Sequence, residues 1–261
     1  MRDYAYLEVD QDDGVLTILL DRPKANAFSL EMIDELIHLL DWSRREVGVR
    51  CLVLSGKGEY FSTGQDIDVI LDLGDQIPYR EHLEKTYNRI VYTMRVMEKP
   101  ILGAINGPVA GAALGLALAT DIRWASEQAS FVFGFSRVGL CADSGTAFSL
   151  PMNVGWARAM EMAFTNRPMA SEEALETGLI SKVLAGDQLM PRTRELAHEL
   201  AQGPTQAYAL TKRAFNHAML EQLSRTMKYE ALLQEIAGRT HDHHEGVLAF
   251  SEKRKPDFKG F

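Results

Sequence analysis

Residues 100–119 read PILGAINGPVAGAALGLALA, a run without a charged side chain that is closed by Asp121. Gly103, Gly107, Gly111 and Gly115 recur in it at every fourth position. Three structures compete for this stretch. Its length and apolarity suit a membrane span, and small residues four apart suit a packed membrane helix. A dinucleotide site would require G-x-G-x-x-G after a strand, and that spacing is absent. The third reading is a buried strand, a tight turn and a buried helix. Asn106-Gly107-Pro108 decides for it, because proline biases the residue before it away from helical geometry. The stretch therefore predicts a strand over 101–106 and a helix over 110–119. A helix entered from a glycine turn offers unpaired N–H groups and a positive dipole end. Such an end suits an anion, including an oxyanion that forms only during reaction.

Working outward, strand and helix patterns alternate. Residues 15–20 (VLTILL) and 50–54 are predicted strands. Ser29 is placed to cap a helix over 30–45, with Met32, Ile33, Leu36, Leu39 and Leu40 on one face. Residues 68–80 look irregular, with Gly74 and Pro78 as breakers, and 81–97 reads as one charged amphipathic helix. A strand over 121–125 follows. This repetition implies an α/β fold with a mostly parallel sheet and helices packed outside. From Gly145 onward the pattern is mainly helical, in blocks at 156–164, 171–177, 187–202, 205–220 and 222–237, with Pro151, Pro168, Pro191 and Pro204 as dividers. Gly203-Pro204 suggests a division into a core, 1–200, and a helical C-terminal region, 201–261.

The chain has 261 residues, 46% hydrophobic and 25% charged, as in an ordinary globular protein. Its 36 acidic and 28 basic residues give a formal net charge of -8, against general nucleic-acid or anionic-membrane binding. Two cysteines make no disulfide framework, so a reducing compartment is expected. Cys51 falls in a buried strand pattern, Cys141 in a glycine-flanked loop. The N-terminal MRDYAYLEVDQDD lacks the apolar core of a signal peptide, which makes the cytoplasm the expected location.

Several motifs lie in order along this pattern: Asp21-Arg22-Pro23-Lys24-Ala25-Asn26-Ala27, Phe61-Ser62-Thr63-Gly64-Gln65-Asp66-Ile67, the glycine run extended to 99–122, the loop 139–146 (GLCADSGT), and the tail 245–254 (EGVLAFSEKR). Together they resemble the enoyl-CoA hydratase/isomerase (crotonase) superfamily over nearly the whole chain. Within it, the Gly64-Gln65-Asp66 turn, Asp143 and the tail are similar to ring-epoxide acyl-CoA isomerases of phenylacetate degradation. The resemblance implies a crotonase-like (ββα)n spiral core with a helical C-terminal trimerisation region. It also implies an acyl-CoA thioester substrate, no separate cofactor, no metal, and a homotrimer or hexamer. Its thioester oxygen would sit between the backbone N–H groups of Gln65 and Ala112. Arg22, Lys24, Ala25, Ser62, Gly64, Asp66, Ile67, Phe250 and Lys253 are the implied CoA-contacting positions, the tail residues often serving a neighbouring subunit. Phe135 and Leu140 would line the acyl pocket, with Phe148 near them.

Asp143 read locally is an N-cap for a helix at 146–150. The resemblance makes it the acid–base group, since isomerases and certain hydrolytic members carry an acid there. Hydratases of the family use two glutamates, and their positions here are Gly115 and Phe135. With one carboxylate left, an isomerase that shuttles a proton through Asp143 is the expected activity. Asp68, Asp72, Asp75 or Glu84 stay open as a second acid for a hydratase. Nucleophilic attack by Asp143, as in a dehalogenase or hydrolase, and a non-catalytic CoA-ester binding subunit also stay open. His241, His243 and His244 allow a metal reading, but a polar first turn of the last helix explains them more simply. Cys141 has no histidine in the motifs to activate it.

Overall fold

The computed structural model describes residues 2–73 and 78–261. Its N-terminal hairpin, β1 (Leu7–Asp12) and β2 (Val15–Leu20), pairs antiparallel, with Leu7 opposite Leu20. From β2 onward the large sheet is parallel: β3 (Cys51–Gly56), β4 (Ile101–Ile105), β6 (Ile122–Ser126) and β9 (Lys182–Leu184) follow in the order β1-β2-β3-β4-β6-β9. Each strand joins the same advancing edge, so the chain progresses as a coil. β5 (Val109–Ala110), β7 (Ser130–Val132) and β8 (Met169–Ala170) form a smaller sheet. β3 and β4 are buried along their length, as their unbroken apolar runs require when both faces are covered.

Helix α1 (Leu30–Arg45) has the expected bounds, and Ser29 Oγ accepts from the Met32 N–H at 3.3 Å. The expected strands at 50–54, 101–106 and 121–125 differ by one or two residues at their ends. Other expectations change more. The segment at 68–80 is not irregular where described: α2 (Ile67–Leu73) occupies its start, while Gly74 and Asp75 lie outside the described residues. The single helix expected at 81–97 is two, α3 (Tyr79–Lys85) and α4 (Tyr87–Val96). They part at Thr86, whose hydroxyl donates to the His82 carbonyl at 2.6 Å. Such back-bonding competes with the helical ladder.

The glycine run forms β4, a turn, β5 and α5 (Ala112–Ala119). α5 starts two residues later than expected, because Val109–Ala110 pairs with Phe131–Val132. Every residue of α5 is buried. Gly103, Gly107 and Gly115 are close approaches, whereas Gly111 faces open space and takes a left-handed backbone, φ 57°. A Cβ on Gly107 would lie 1.8 Å from the Glu59 carbonyl oxygen, and one on Gly115 would lie 2.5 Å from Ser144 Cβ. Among the described residues no helix is long and apolar enough to cross a membrane.

The second half adds α6 (Thr146–Val154), α7 (Trp156–Thr165), α8 (Ser171–Glu176) and α9 (Gly186–Gln202). Pro151 and Pro191 fall inside α6 and α9 instead of dividing them; each sits in the second turn, where it forgoes one i→i−4 bond. The two blocks expected at 205–220 and 222–237 are one helix, α10 (Thr205–Ala237), followed by α11 (His241–Ser251). α10 packs on α3, α4 and α6, and α11 packs on α2 and on the 3-10 turn Phe135–Val138.

Candidate active site

One cavity of about 680 Å³ lies where these elements meet. Of the sequence-predicted residues, Lys24, Gln65, Asp66, Ile67, Ala112, Phe135, Leu140, Asp143, Phe250 and Lys253 line it. Arg22, Ala25, Ser62 and Gly64 are not in its wall. Ser62 is fully buried and its hydroxyl donates to the Asn26 carbonyl at 2.7 Å. Arg22 donates to Asp66 Oδ2 at 2.7 Å and to the Ala27 carbonyl at 2.9 Å. Lys24, Ala25 and Asn26 all have left-handed backbone, with φ of 66°, 59° and 55°. A run of three such non-glycine residues is costly and must be held from outside. Asn26 holds it, accepting from the Arg22 N–H at 3.0 Å and donating to the Lys57 and Tyr60 carbonyls at 3.0 and 2.9 Å.

Two turns converge at the cavity wall. A Cβ built on Gly64 would lie 3.2 Å from the Ala112 nitrogen, which places the Gly64-Gln65 turn directly against the start of α5. Phe28 and Gln65 bridge in parallel, and the Asp66 N–H donates to the Phe28 carbonyl at 3.1 Å. Among the described residues, the N–H groups of Gln65 and Ala112 meet no protein acceptor. Backbone donors in that state, at a cavity wall and a helix start, are available to a ligand oxygen.

The Gln65 side chain is tied down. Its Nε2 donates to the Phe28 and Asp66 carbonyls at 3.2 and 3.3 Å, and its Oε1 accepts from the Tyr87 hydroxyl at 2.7 Å. His82 Nε2 lies 3.3 Å from the same oxygen. Burial raises the Tyr87 phenol well above its ordinary range and lowers His82, so both are neutral near pH 7.

Asp143 is buried in the cavity wall. It does not cap α6 with its side chain. Its Oδ1 accepts from the Ser144 hydroxyl at 2.6 Å and its Oδ2 from Gln234 Nε2 at 2.8 Å. Burial pushes its pKa up to about 6, against the opposing pull of these two donors. The capping task at α6 falls to Glu230, which accepts from the Gly145 and Ala147 N–H groups at 2.8 and 2.7 Å. Burial pushes Glu230 up to about 8. Ser144, with φ of 55°, turns the chain between the two acids.

Sequence reasoning missed Glu230, Gln234, Tyr87 and His82. A signal existed for the first two. Leu223, Met227, Glu230, Ala231 and Gln234 form the buried seam of α10, so polar residues occupy helical core positions. Tyr87 and His82 carried no comparable signal.

Three other acids of this region are engaged elsewhere. Asp66 pairs with Arg22, the exposed Asp68 pairs with Lys24, and Glu84 pairs with Arg80 at 3.1 Å. Neither Asp75 nor the Asp72 side chain is among the described groups. A Cβ on Gly115 would clash with Ser144, so a glutamate there could not be seated without moving it. Burial raises Cys141 to about 12, which leaves no thiolate for nucleophilic work. His243 Nδ1 lies 2.7 Å from the Val138 carbonyl oxygen and its Nε2 lies 2.6 Å from the Tyr79 hydroxyl, tying α11 to the wall. Phe250 and Lys253 reach the cavity of their own chain.

The family model for enoyl-CoA hydratase/isomerase matches residues 10–260. A 1,2-epoxyphenylacetyl-CoA isomerase of Escherichia coli (strain K12) is 38% identical, over 95% of this chain and 96% of the relative. A probable enoyl-CoA hydratase of Rhodobacter capsulatus is 37% identical, over 98% and 99%. A 4-chlorobenzoyl coenzyme A dehalogenase of an Arthrobacter species is 32% identical, over 96% and 91%. Among solved structures, an enoyl-CoA hydratase from Mycobacterium avium subsp. paratuberculosis K-10 superposes with a TM-score of 0.87 at 30% identity, covering 98% of this chain and 100% of that one. The fold is the crotonase fold, and the chain belongs to the enoyl-CoA hydratase/isomerase family of acyl-CoA-processing enzymes.

Proposed function

We propose that the protein is an acyl-CoA isomerase that moves a proton through Asp143 while the Gln65 and Ala112 N–H groups hold the thioester oxygen. The observation that supports this most is the isolation of Asp143. Among the described groups lining the cavity it is the one buried carboxylate without a cation partner. In the proposed reaction its carboxylate takes a proton from the α-carbon of a β,γ-unsaturated thioester. The electron pair moves onto the thioester oxygen, which the two N–H groups stabilise at about 3–4 kcal/mol per donor. The protonated Asp143 then returns the proton to the γ-carbon, and the double bond ends α,β. A pKa near 6 suits a group that must both take and give a proton near neutrality. No cofactor enters, because acyl-CoA is itself the substrate. Lys24, Arg137 and Lys253 are the cations in the cavity wall that would meet the CoA phosphates. Asp143→Asn tests the reading. It should abolish α-proton exchange with deuterated water, measured by NMR, while CoA-ester binding persists. Exchange near the wild-type rate would remove Asp143 as the base.

The dehalogenase relative favours a second reading, in which Asp143 attacks carbon as a nucleophile. A nucleophilic carboxylate passes its own oxygen to the product. Single-turnover reaction in oxygen-18 water therefore separates the readings: a proton shuttle puts no label into Asp143.

A further inference from the structure

The proton chemistry uses the backbone of Gln65 but not its side chain, and it leaves His82 without a task. Their geometry defines a second polar point in the cavity. The Gln65 amide nitrogen faces two backbone carbonyls, which only accept, at 3.2 and 3.3 Å. The amide orientation is thereby fixed, and Oε1 must be the atom that faces Tyr87 and His82. An amide oxygen only accepts, so His82 Nε2 carries the hydrogen. In a neutral imidazole the other nitrogen, Nδ1, then holds a lone pair and no proton. Burial favours the neutral ring, and among the described residues no carboxylate opposes it. Among the described residues Nδ1 meets no protein partner, and the side chain is half-buried. The ring is braced edge-on against Tyr87, at 83° and 5.9 Å between centroids, and it lines the acyl cavity.

We infer that His82 Nδ1 is the hydrogen-bond acceptor for a hydroxyl group on the acyl chain or ring of the substrate, selecting hydroxylated over plain acyl-CoA thioesters. The inference rests on the thioester lying at the Gln65 turn, as proposed above. Since the Gln65 side chain spaces the imidazole from that turn, the hydroxyl belongs beyond the α- and β-carbons. A plain acyl chain would leave Nδ1 buried beneath it without a partner, which is where selection against the deoxy compound arises.

The test is calorimetric affinity for phenylacetyl-CoA and its ortho-, meta- and para-hydroxy derivatives, read as a ratio in each protein. Wild type should bind one hydroxylated isomer about tenfold tighter than phenylacetyl-CoA. His82→Gln keeps a donor near the Nε2 position and loses the Nδ1 acceptor, so the ratio should fall to about one. His82→Asn keeps an acceptor near Nδ1, so a preference should remain. The inference is overturned if wild type prefers no isomer, or if the preference survives in His82→Gln. It is equally overturned if His82→Gln loses hydration of an enoyl-CoA with the ratio unchanged, since His82 would then act on water. The ratio needs no turnover. Absence of α-proton exchange would sink the isomerase reading and leave this measurement intact.

Discussion

Asp143 carries two opposing demands at the residue scale. It must be ionised to take a proton, yet it is buried. With a pKa of about 6, the rate of α-proton abstraction should rise with pH through that value and level off above it. Removing the Gln234 donor in Gln234→Leu takes away an interaction with the charged form, so the inflection should move to higher pH, visible in the pH profile of exchange. A profile unchanged in Gln234→Leu would mean that the amide does not stabilise the anion. Gln65→Ala retains the backbone N–H, so turnover should fall by less than the roughly hundredfold expected for a lost oxyanion donor. Its four side-chain contacts imply a loss of stability as well, of the order of 1–3 kcal/mol, readable by urea denaturation. A larger loss of turnover with folding intact would mean that the amide itself does chemistry.

Among the elements, α10 is the one that completes the site, through Glu230 beneath α6 and Gln234 on Asp143. Glu230 is raised from 4.5 in the unfolded chain to about 8 in the folded one. The folded state therefore binds the extra proton between these values, and stability falls as pH rises through that window. The slope is at most about 1.4 kcal/mol per pH unit for one group. Thermal melts between pH 6 and 9 should show this decline, and Glu230→Gln should flatten it; an undiminished slope would place its origin elsewhere. The contribution of α10 was hard to read in sequence because it depends on a contact across some ninety residues, 143 to 234. What was legible was local. The turn at Asn106-Gly107-Pro108 announced its own geometry, and Ser29 announced its helix. The break at Thr86 was not legible, because threonine is tolerated in helices and only its bond to the His82 carbonyl shows the kink. The regular spacing of the glycines misleads in the same way, since Gly107 and Gly115 answer to different neighbours, Glu59 and Ser144. Asp143 itself looked like a cap, and the capping group came from a helix that no local pattern connects to it.

The whole molecule leaves large apolar side chains uncovered. Trp156 and Phe164 on α7 are 71% and 76% exposed, and Phe215 on α10 is 68% exposed. Isolated exposed apolar residues are ordinary, but side chains this large on helix faces suit a subunit interface. The expected state is a trimer or hexamer, checked by light scattering at micromolar concentration; a monomer would overturn it. Phe215→Asp would be expected to shift that equilibrium toward smaller species if α10 lies at the contact, and an unchanged mass would place the contact elsewhere.

The tail has one more consequence. α11 folds back onto its own chain, where Glu245 grips Arg254 at 2.5 and 2.9 Å and His243 is pinned between Val138 and Tyr79. Among the described residues, Phe250 and Lys253 thus stand in the wall of their own polypeptide's cavity. In a mixed assembly of two crippled forms, one carrying Asp143→Asn and the other carrying Phe250→Ala with Lys253→Ala, no subunit can borrow what it lacks. Such hybrids should show only the average of the parents' activities, whatever the mixing ratio. Complementation above that average would mean that the tail is traded between neighbours.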